Sequence, residues 1–360
     1  MSYFDKCKVR FLNISGEDLS DKDYFKRPGI SNSRLKYINP KEGGSPQLYK
    51  NPPLFDYSPS LALGSAVHQL ILQPDDYVLS DYAGKPSGKG GVFIDYLFEN
   101  RKKGMSIYDA IQTASKQADY YQDSFKEDWT NKHIIPKRIG TAIRSGLDYY
   151  LRKLNNEFVA FNKEVIVLPQ AQLETCNKCL RSFKNSAGIQ NILRDNIFDP
   201  KQYLNEIALF SDIEVLLPDG HLVPLKIKGK FDSVVLDPET KTAYLNDIKT
   251  TSKQLEYFMD TTLMNDDGTE EAYTGVISHH HYWRQLGLYS LMLQMYLDHC
   301  LYKADYNIKC NIFAVETTGD NRAQMFKINN SYIQYGIQEF KELICRVAYH
   351  EIYGYDAEPL

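Results

Sequence analysis

No run in the sequence approaches the roughly 20 apolar residues with which a helix crosses a bilayer. The opening stretch MSYFDKCKVRF interleaves acid and base and lacks the apolar core of a secretory leader. A soluble, intracellular protein with no membrane partner is therefore expected. Cysteine is thinly used: Cys7, Cys176, Cys179, Cys300, Cys310 and Cys345 are scattered, and reduced thiols are the default in that setting. The one CxxC, Cys176 to Cys179, has no second pair and no histidine at ligand spacing, whereas a structural zinc needs four ligands. Two ordinary helix-surface or core cysteines are the expectation. An excess of basic charge is missing as well, with 42 Lys and Arg against 46 Asp and Glu, a net of −4. That balance argues against a surface coated in positive charge but allows a local basic groove. A phosphate-binding P-loop is absent too: GKPSGKGG has three residues between Gly84 and Gly88, and Gly90 follows Lys89 where Ser or Thr is required. That stretch reads as a mobile surface loop. Internal repeats and low-complexity tracts are lacking.

What is present is a chain of 360 residues, enough to bury a large core. Residues 1–30 read as an irregular lead-in. ISNSRLKYINP reads as a short helix, capped by Ser31 or Ser33 and ending before Pro40. SLALGSAVHQLILQP reads as a helix stopped before Pro74. Residues 96–196 are rich in amphipathic helix formers. After Pro200 the pattern turns to strands, EIALFSDIEVLLPDG, HLVPLKIKGKFDSVVLD and KTAYLNDIKTT, with turns at PDG and DPETK. Helices follow over about 279–299 and 331–353, with the strand KCNIFAVE between them. The order implies an α/β fold with a mixed central sheet flanked by helices. It is read as one domain: N-terminal helices over 1–80, a helical insertion over 81–199, and the sheet with C-terminal helices over 200–360. Basic clusters lie at Lys226, Lys228 and Lys230, and upstream at Lys132, Lys137, Arg138, Arg144, Arg152 and Lys153.

The informative element is the hairpin around DPETK. With Pro238 to Lys241 as its loop and Asp237 facing Thr242, counting outward sets Asp232 opposite Asp247 on one face. Lys249, two residues on, points the same way. Two neighbouring carboxylates repel unless a cation lies between them, and hard oxygen ligands suit Mg²⁺ or Mn²⁺. Such a metal polarises a phosphodiester and lowers the pKa of a bound water. Lys249 then orients that water or acts as its base, with a pKa depressed by the metal. The bland rival is a solvent-facing hairpin with ordinary charges. Against it, Asp232, Asp247 and Lys249 sit in otherwise apolar, β-forming runs.

GKFD, fourteen further residues and DIK resemble the GxxD and (D/E)xK motifs of the PD-(D/E)XK nucleases. The similarity is to the branch containing RecB-type helicase-nucleases, lambda exonuclease and exodeoxyribonuclease VIII. LGSAVHQLIL resembles the helix bearing that branch's metal-binding histidine, here His68. Glu206 in NEIALFSD resembles the acidic residue ahead of the central strands, and QLGLY matches QxxxY, giving Gln285 and Tyr289. ISNSRL and SPSLALGSAVH are similar to the exodeoxyribonuclease VIII group in particular. The motifs run from residue 30 to about 290. The resemblance implies Lys249, Asp247, Asp232, Gln285 and Tyr289 as catalytic residues, and His68, Asp232, Asp247, Ile248 and Glu206 as the metal set. Gln285 and Tyr289 share a helix face and would hold DNA backbone or a neighbouring active-site group. Glu206 either ligates the metal or faces solvent.

Three successive histidines, His279, His280 and His281, point about 100° apart on a helix and cannot converge on one ion, so a non-catalytic surface or loop role is expected. Cys300, Cys310 and Cys345 are too widely spread for the iron–sulfur cluster some relatives hold. The resemblance further implies Mg²⁺-dependent digestion of linear duplex DNA, 5′ to 3′, by a ring-shaped homo-oligomer in the cytoplasm of a bacterial host, with a single-strand annealing protein as partner. The rivals are an endonuclease or nuclease subunit of a repair complex, and a non-catalytic DNA-binding module that keeps the fold.

Overall fold

The computed structural model describes residues 3–53, 59–80, 85–120, 137–154, 159–160, 163–194, 200–264 and 270–356. The chain starts with β1 (Lys8–Phe11), β2 (Ser15–Asp18), α1 (Asp21–Lys26), α2 (Asn32–Leu35) and α3 (Pro46–Lys50). Next come α4 (Pro59–Leu72), β3 (Tyr77–Ser80), α5 (Lys89–Lys102), α6 (Ile107–Gln117), α7 (Lys137–Leu154), β4 (Val159–Ala160), β5 (Lys163–Val167) and α8 (Gln170–Asn185). The remainder holds α9 (Ala187–Leu193), β6 (Gln202–Leu216), β7 (Leu222–Asp237), β8 (Thr242–Thr251), β9 (Thr261–Met264), β10 (Glu270–Tyr273), α10 (Val276–His279), α11 (Tyr282–His299), β11 (Asn307–Glu316), β12 (Ala323–Lys327) and α12 (Asn330–Tyr353). These elements form two compact units. One is Met1–Leu54 with Ser182–Leu360, and the other is Phe55–Arg181.

The first unit is built on a seven-stranded mixed sheet in the order β1-β6-β7-β8-β11-β12, with β2 also on β6. All pairs are antiparallel except β8 with β11. A parallel neighbour needs a crossover, and α11 supplies it. Because β8 is paired on both sides, seven of its ten residues are buried and the other three half-buried, as expected of a central strand. α11 lies against β8 and β11, and α12 against β6 and β7. The two helices approach so closely that a Cβ on Gly336 would sit 2.0 Å from the Trp283 carbonyl oxygen. Phe313 of β11 points away from the core beneath α11 and α12 and meets Phe183 edge-on, 5.9 Å between centroids, so helices flank both faces.

The strands called from sequence appear within a few residues, but the lead-in does not stay irregular. β1 pairs with β6 from Lys8 opposite Leu216 to Phe11 opposite Ile213, and β2 continues along the same edge. These short, half-polar segments are strands because an edge was there to receive them. The small hairpin β9–β10 and the edge strand β12 also carry no strong alternation.

The second unit packs α5, α6 and α7 around Phe93, Ile94, Leu97, Ile111 and Ile139. Asp95 is fixed by Lys85, Lys153 and Tyr149 at 2.6–3.0 Å. It is not wholly helical, since β3, β5 and β4 form a sheet of their own. Nor do its bounds, 55–181, coincide with the expected insertion over 81–199. The glycine-rich GKGG does not form a loop throughout. Gly88 caps α5 at φ 58°, and Gly91 is required because a Cβ there would lie 2.1 Å from the Pro86 carbonyl oxygen.

Candidate metal and catalytic site

The β7–β8 hairpin forms as counted from its turn. Asp237 faces Thr242, its Oδ1 accepts the Thr240 N–H at 3.2 Å, and Lys241 turns left-handed at φ 49° to close the loop. Pairing then runs to Ser233 opposite Asn246 and stops. The register is the counted one, but the ladder ends one pair short of Asp232 and Asp247. The strands part there, and the Asp232 side chain bridges the opening, Oδ2 accepting the Ile248 N–H at 2.7 Å. The β6–β7 ladder is interrupted at the same level: Asn205 faces Ser233 and Ile207 faces Phe231, while Glu206 between them adopts φ 55°. A left-handed backbone is costly for glutamate, and such outliers collect where a side chain must be aimed.

On the face so opened, Asp247 is 2% exposed. Its Oδ1 accepts Gln285 Nε2 at 2.8 Å, and its Oδ2 lies 2.8 Å from Lys249 Nζ. Burial penalises the Lys249 ammonium, but the charges of Asp247 and then Asp232 outweigh it and hold the lysine pKa above its ordinary value. Both carboxylates therefore act on one amine. Lys249 is thereby ion-paired to a buried carboxylate on the face where the water-orienting or basic amine was expected. Carboxylate oxygens of Glu206 and Asp232 lie within 4.8 Å of each other. Glu206 is buried and ion-paired to Lys230, which also reaches Asp21 at 2.6 Å. Of its two expected roles, facing solvent is excluded.

Tyr289 is a wall of this site. Its ring stacks on Phe231 at 4.3 Å and 18°, and burial raises its hydroxyl pKa well above the ordinary value. The glycine of GKFD is explained by this ring: a Cβ on Gly229 would sit 2.7 Å from Tyr289 Cε1. Tyr282 was not singled out in the sequence. It stands at i−3 and i−7 from Gln285 and Tyr289, on the same helix face, and Lys249 Nζ lies 5.1 Å from its ring centroid. That spacing was the available signal.

Among the other candidates, His68 is half-buried on α4 of the second unit. Ile248 is buried, with its amide committed to Asp232. His279 and His280 are exposed, but His281 is not a surface residue: it is 9% exposed and its Nδ1 meets Glu339 at 2.9 Å. The KIKGK lysines do not form a free basic strip. Lys228 is buried, donating to the carbonyls of Tyr24 and Arg27 at 2.9 and 2.7 Å, and Lys230 is held by carboxylates. Upstream, Lys137 and Arg144 are exposed and Lys153 pairs with Asp95, while Lys132 and the side chains of Arg138 and Arg152 lie outside the described residues. Cys176 and Cys179 are fully buried core thiols, and burial pushes them up to about 12 and about 11.

The donor set suits a small hard cation. Glu206, Asp232 and Asp247, together with Asp21 on Lys230, set four carboxylates against the two amines of Lys230 and Lys249, so acid is in excess. Oxygen donors with a residual negative charge are what Mg²⁺ or Mn²⁺ require. A divalent ion would offset that excess and let phosphate approach.

No protein-family model matches the chain, and no curated protein does. Among solved structures it is similar to the crystal structure of a "Putative exonuclease" from Eubacterium rectale, at a TM-score of 0.35 and 12% identity, over 70% of this chain and 76% of that one. No helix among the described residues is long and apolar enough to cross a membrane.

Proposed function

We propose that this chain is a Mg²⁺- or Mn²⁺-dependent nuclease of the PD-(D/E)XK type, an exonuclease that hydrolyses linear duplex DNA from its 5′ ends. The observation that carries the reading is the parting of β7 and β8 at Asp232, which leaves Asp232, Asp247 and Lys249 on one opened face. A hairpin meant only for packing has no reason to end its ladder beneath a buried acid–amine cluster. Asp232, Asp247 and Glu206 supply the carboxylates. The bound metal would polarise the phosphodiester and acidify a water. Gln285 fixes the orientation of the Asp247 carboxylate. Lys249, 2.8 Å from Asp247, orients the attacking water or acts as its base. Tyr289 closes the floor against bulk solvent.

End-labelled linear duplex, digested with Mg²⁺ in the presence and absence of EDTA, tests the proposal, with 5′ and 3′ labels compared and a closed circle in parallel. Wild-type protein should release 5′ label first and leave the circle intact, and Asp247→Ala should digest neither. Cleavage surviving that substitution overturns the site assignment, and nicking of the circle favours the endonuclease reading.

A further inference from the structure

The aromatic rings beside Lys249 form a column. Phe326 of β12 stacks on Phe258 at 4.8 Å and 19°, Phe258 on Tyr282 at 6.4 Å and 29°, and Tyr282 on His280 at 5.4 Å and 23°. The column runs outward. Phe258 is fully buried, Phe326 and Tyr282 are half-buried, and His280 is exposed. Its outer end is also rigidly mounted. The His280 amide donates to the Val276 carbonyl at 3.1 Å, and the next residue, His281, is anchored left-handed on buried Glu339. His279 meets the His280 ring edge-on, at 4.8 Å and 80°.

An exposed ring gains little from packing, and a turn between α10 and α11 would be served as well by a small polar residue. A ring that ends a stack at the surface is instead a platform for another flat ring. Nucleobases stack on such platforms regardless of sequence, because every base has a π-face. Partial shielding of the ring from water by its neighbours, and then His279, hold the His280 pKa below its ordinary value, which favours a neutral imidazole over a phosphate-binding cation.

We propose that His280 is a base-stacking residue: the exposed end of the Phe326–Phe258–Tyr282–His280 column receives an unpaired nucleobase of DNA next to the amine of Lys249. The identity of the ligand rests on the nuclease reading above, while the platform itself rests on the column. Its chemical consequence is that the terminal nucleotide must leave the duplex stack, so a frayed or single-stranded end is bound better than a blunt paired one.

The test uses 2-aminopurine at the 5′ end of a DNA strand, with Ca²⁺ replacing Mg²⁺ so that the strand persists. Wild-type protein should quench the fluorophore. His280→Ala should lose the quench and bind about tenfold more weakly, and His280→Phe, which keeps a stacking ring without imidazole chemistry, should restore both. If His280→Ala quenches and binds as wild type does, or His280→Phe fails to restore a lost quench, the platform is wrong. Digestion of linear duplex by the same preparations separates the two claims. Digestion by wild type with a quench indifferent to His280 sinks the platform alone. A His280-dependent quench without digestion sinks the hydrolase alone, and neither digestion nor quench sinks both.

Discussion

Two buried polar clusters grow from the first turns of α11, and they differ in how their charges are answered. At Glu339 each group has a fixed counterpart: the carboxylate accepts His281 Nδ1 at 2.9 Å, Trp283 Nε1 at 2.8 Å and Asn39 Nδ2 at 3.1 Å. Beside it Arg284, 1% exposed, donates to Asn32 Oδ1 at 2.9 Å and is ion-paired to Glu42. This network ties residues 32–42 to α11 and α12. At Asp247 the same helix contributes Gln285, yet there the carboxylates outnumber the amines that answer them. Satisfied buried charges specify a fold, whereas an excess held in place implies something still to be bound.

Isosteric neutralisation separates the two clusters most sharply. Asp247→Asn keeps an acceptor for Gln285 and relieves repulsion, and Asp232 remains as a counter-charge for Lys249, so the stability cost should be smaller than at Glu339. DNA cleavage should fall by more than the roughly 10–100-fold typical of losing a group that only supports a metal ligand. End-label release and urea unfolding on the same preparation measure both. Glu339→Gln should do the reverse, costing about 3 kcal/mol of stability because His281 and Arg284 lose a buried counter-charge. Acid adds a second check. Burial alone would raise the Glu339 pKa, but His281, Trp283 and Arg284 bring it down from 4.5 to about 2. A folded-state value below the unfolded one stabilises fully above about pH 4.5 and progressively less as pH falls toward 2. Wild-type stability should drop across that window, and Glu339→Gln should flatten the drop.

Divalent metal gives a smaller but more specific readout. If the charge excess marks a cation site, saturating Mn²⁺ should stabilise the protein, by about 2.7 kcal/mol at a hundred times the dissociation constant. The shift should vanish in Asp232→Asn and persist in Glu339→Gln. A thermal shift equal in all three would mean that the ion binds elsewhere.

Much of this contrast was legible before any coordinates. The turn at DPETK, the alternation of the long strands and the spacing from Asp232 to Lys249 gave the hairpin its register, because side-chain period and turn length leave few choices. The place where the ladder ends was not legible. Ser233 and Asn246 look no different in sequence from the pairs before them, and the break depends on Asp232 finding the Ile248 amide. Lys228 and Lys230 read as free basic charge for a related reason. Their partners, the carbonyls of Tyr24 and Arg27 and the carboxylates of Asp21 and Glu206, come from distant segments. His281 likewise takes its role from Glu339, 58 residues away. Local pattern reveals an element and its faces, but long-range contacts decide which polar side chains are already committed.

Gly229 offers the finest probe, because it belongs to the site's wall and not to its chemistry. A methyl added there would press on the Tyr289 ring at 2.7 Å and on Phe231 at 3.0 Å, two rings already stacked at 4.3 Å. Both rings are buried, and a flat stack has little freedom to yield without moving α11. Overpacking of this kind costs about 1–3 kcal/mol, so Gly229→Ala should lower the urea midpoint measurably. Gln285 lies one helical turn from Tyr289, and displacing the ring should also loosen its hold on Asp247, reducing cleavage less than Asp247→Asn does. Trimming the ring should then compensate: in the double variant Gly229→Ala with Tyr289→Leu, the two costs should sum to less than their separate values. Simple additivity in that cycle would mean that the glycine is there for backbone reasons and that Tyr289 does not shape the site through it.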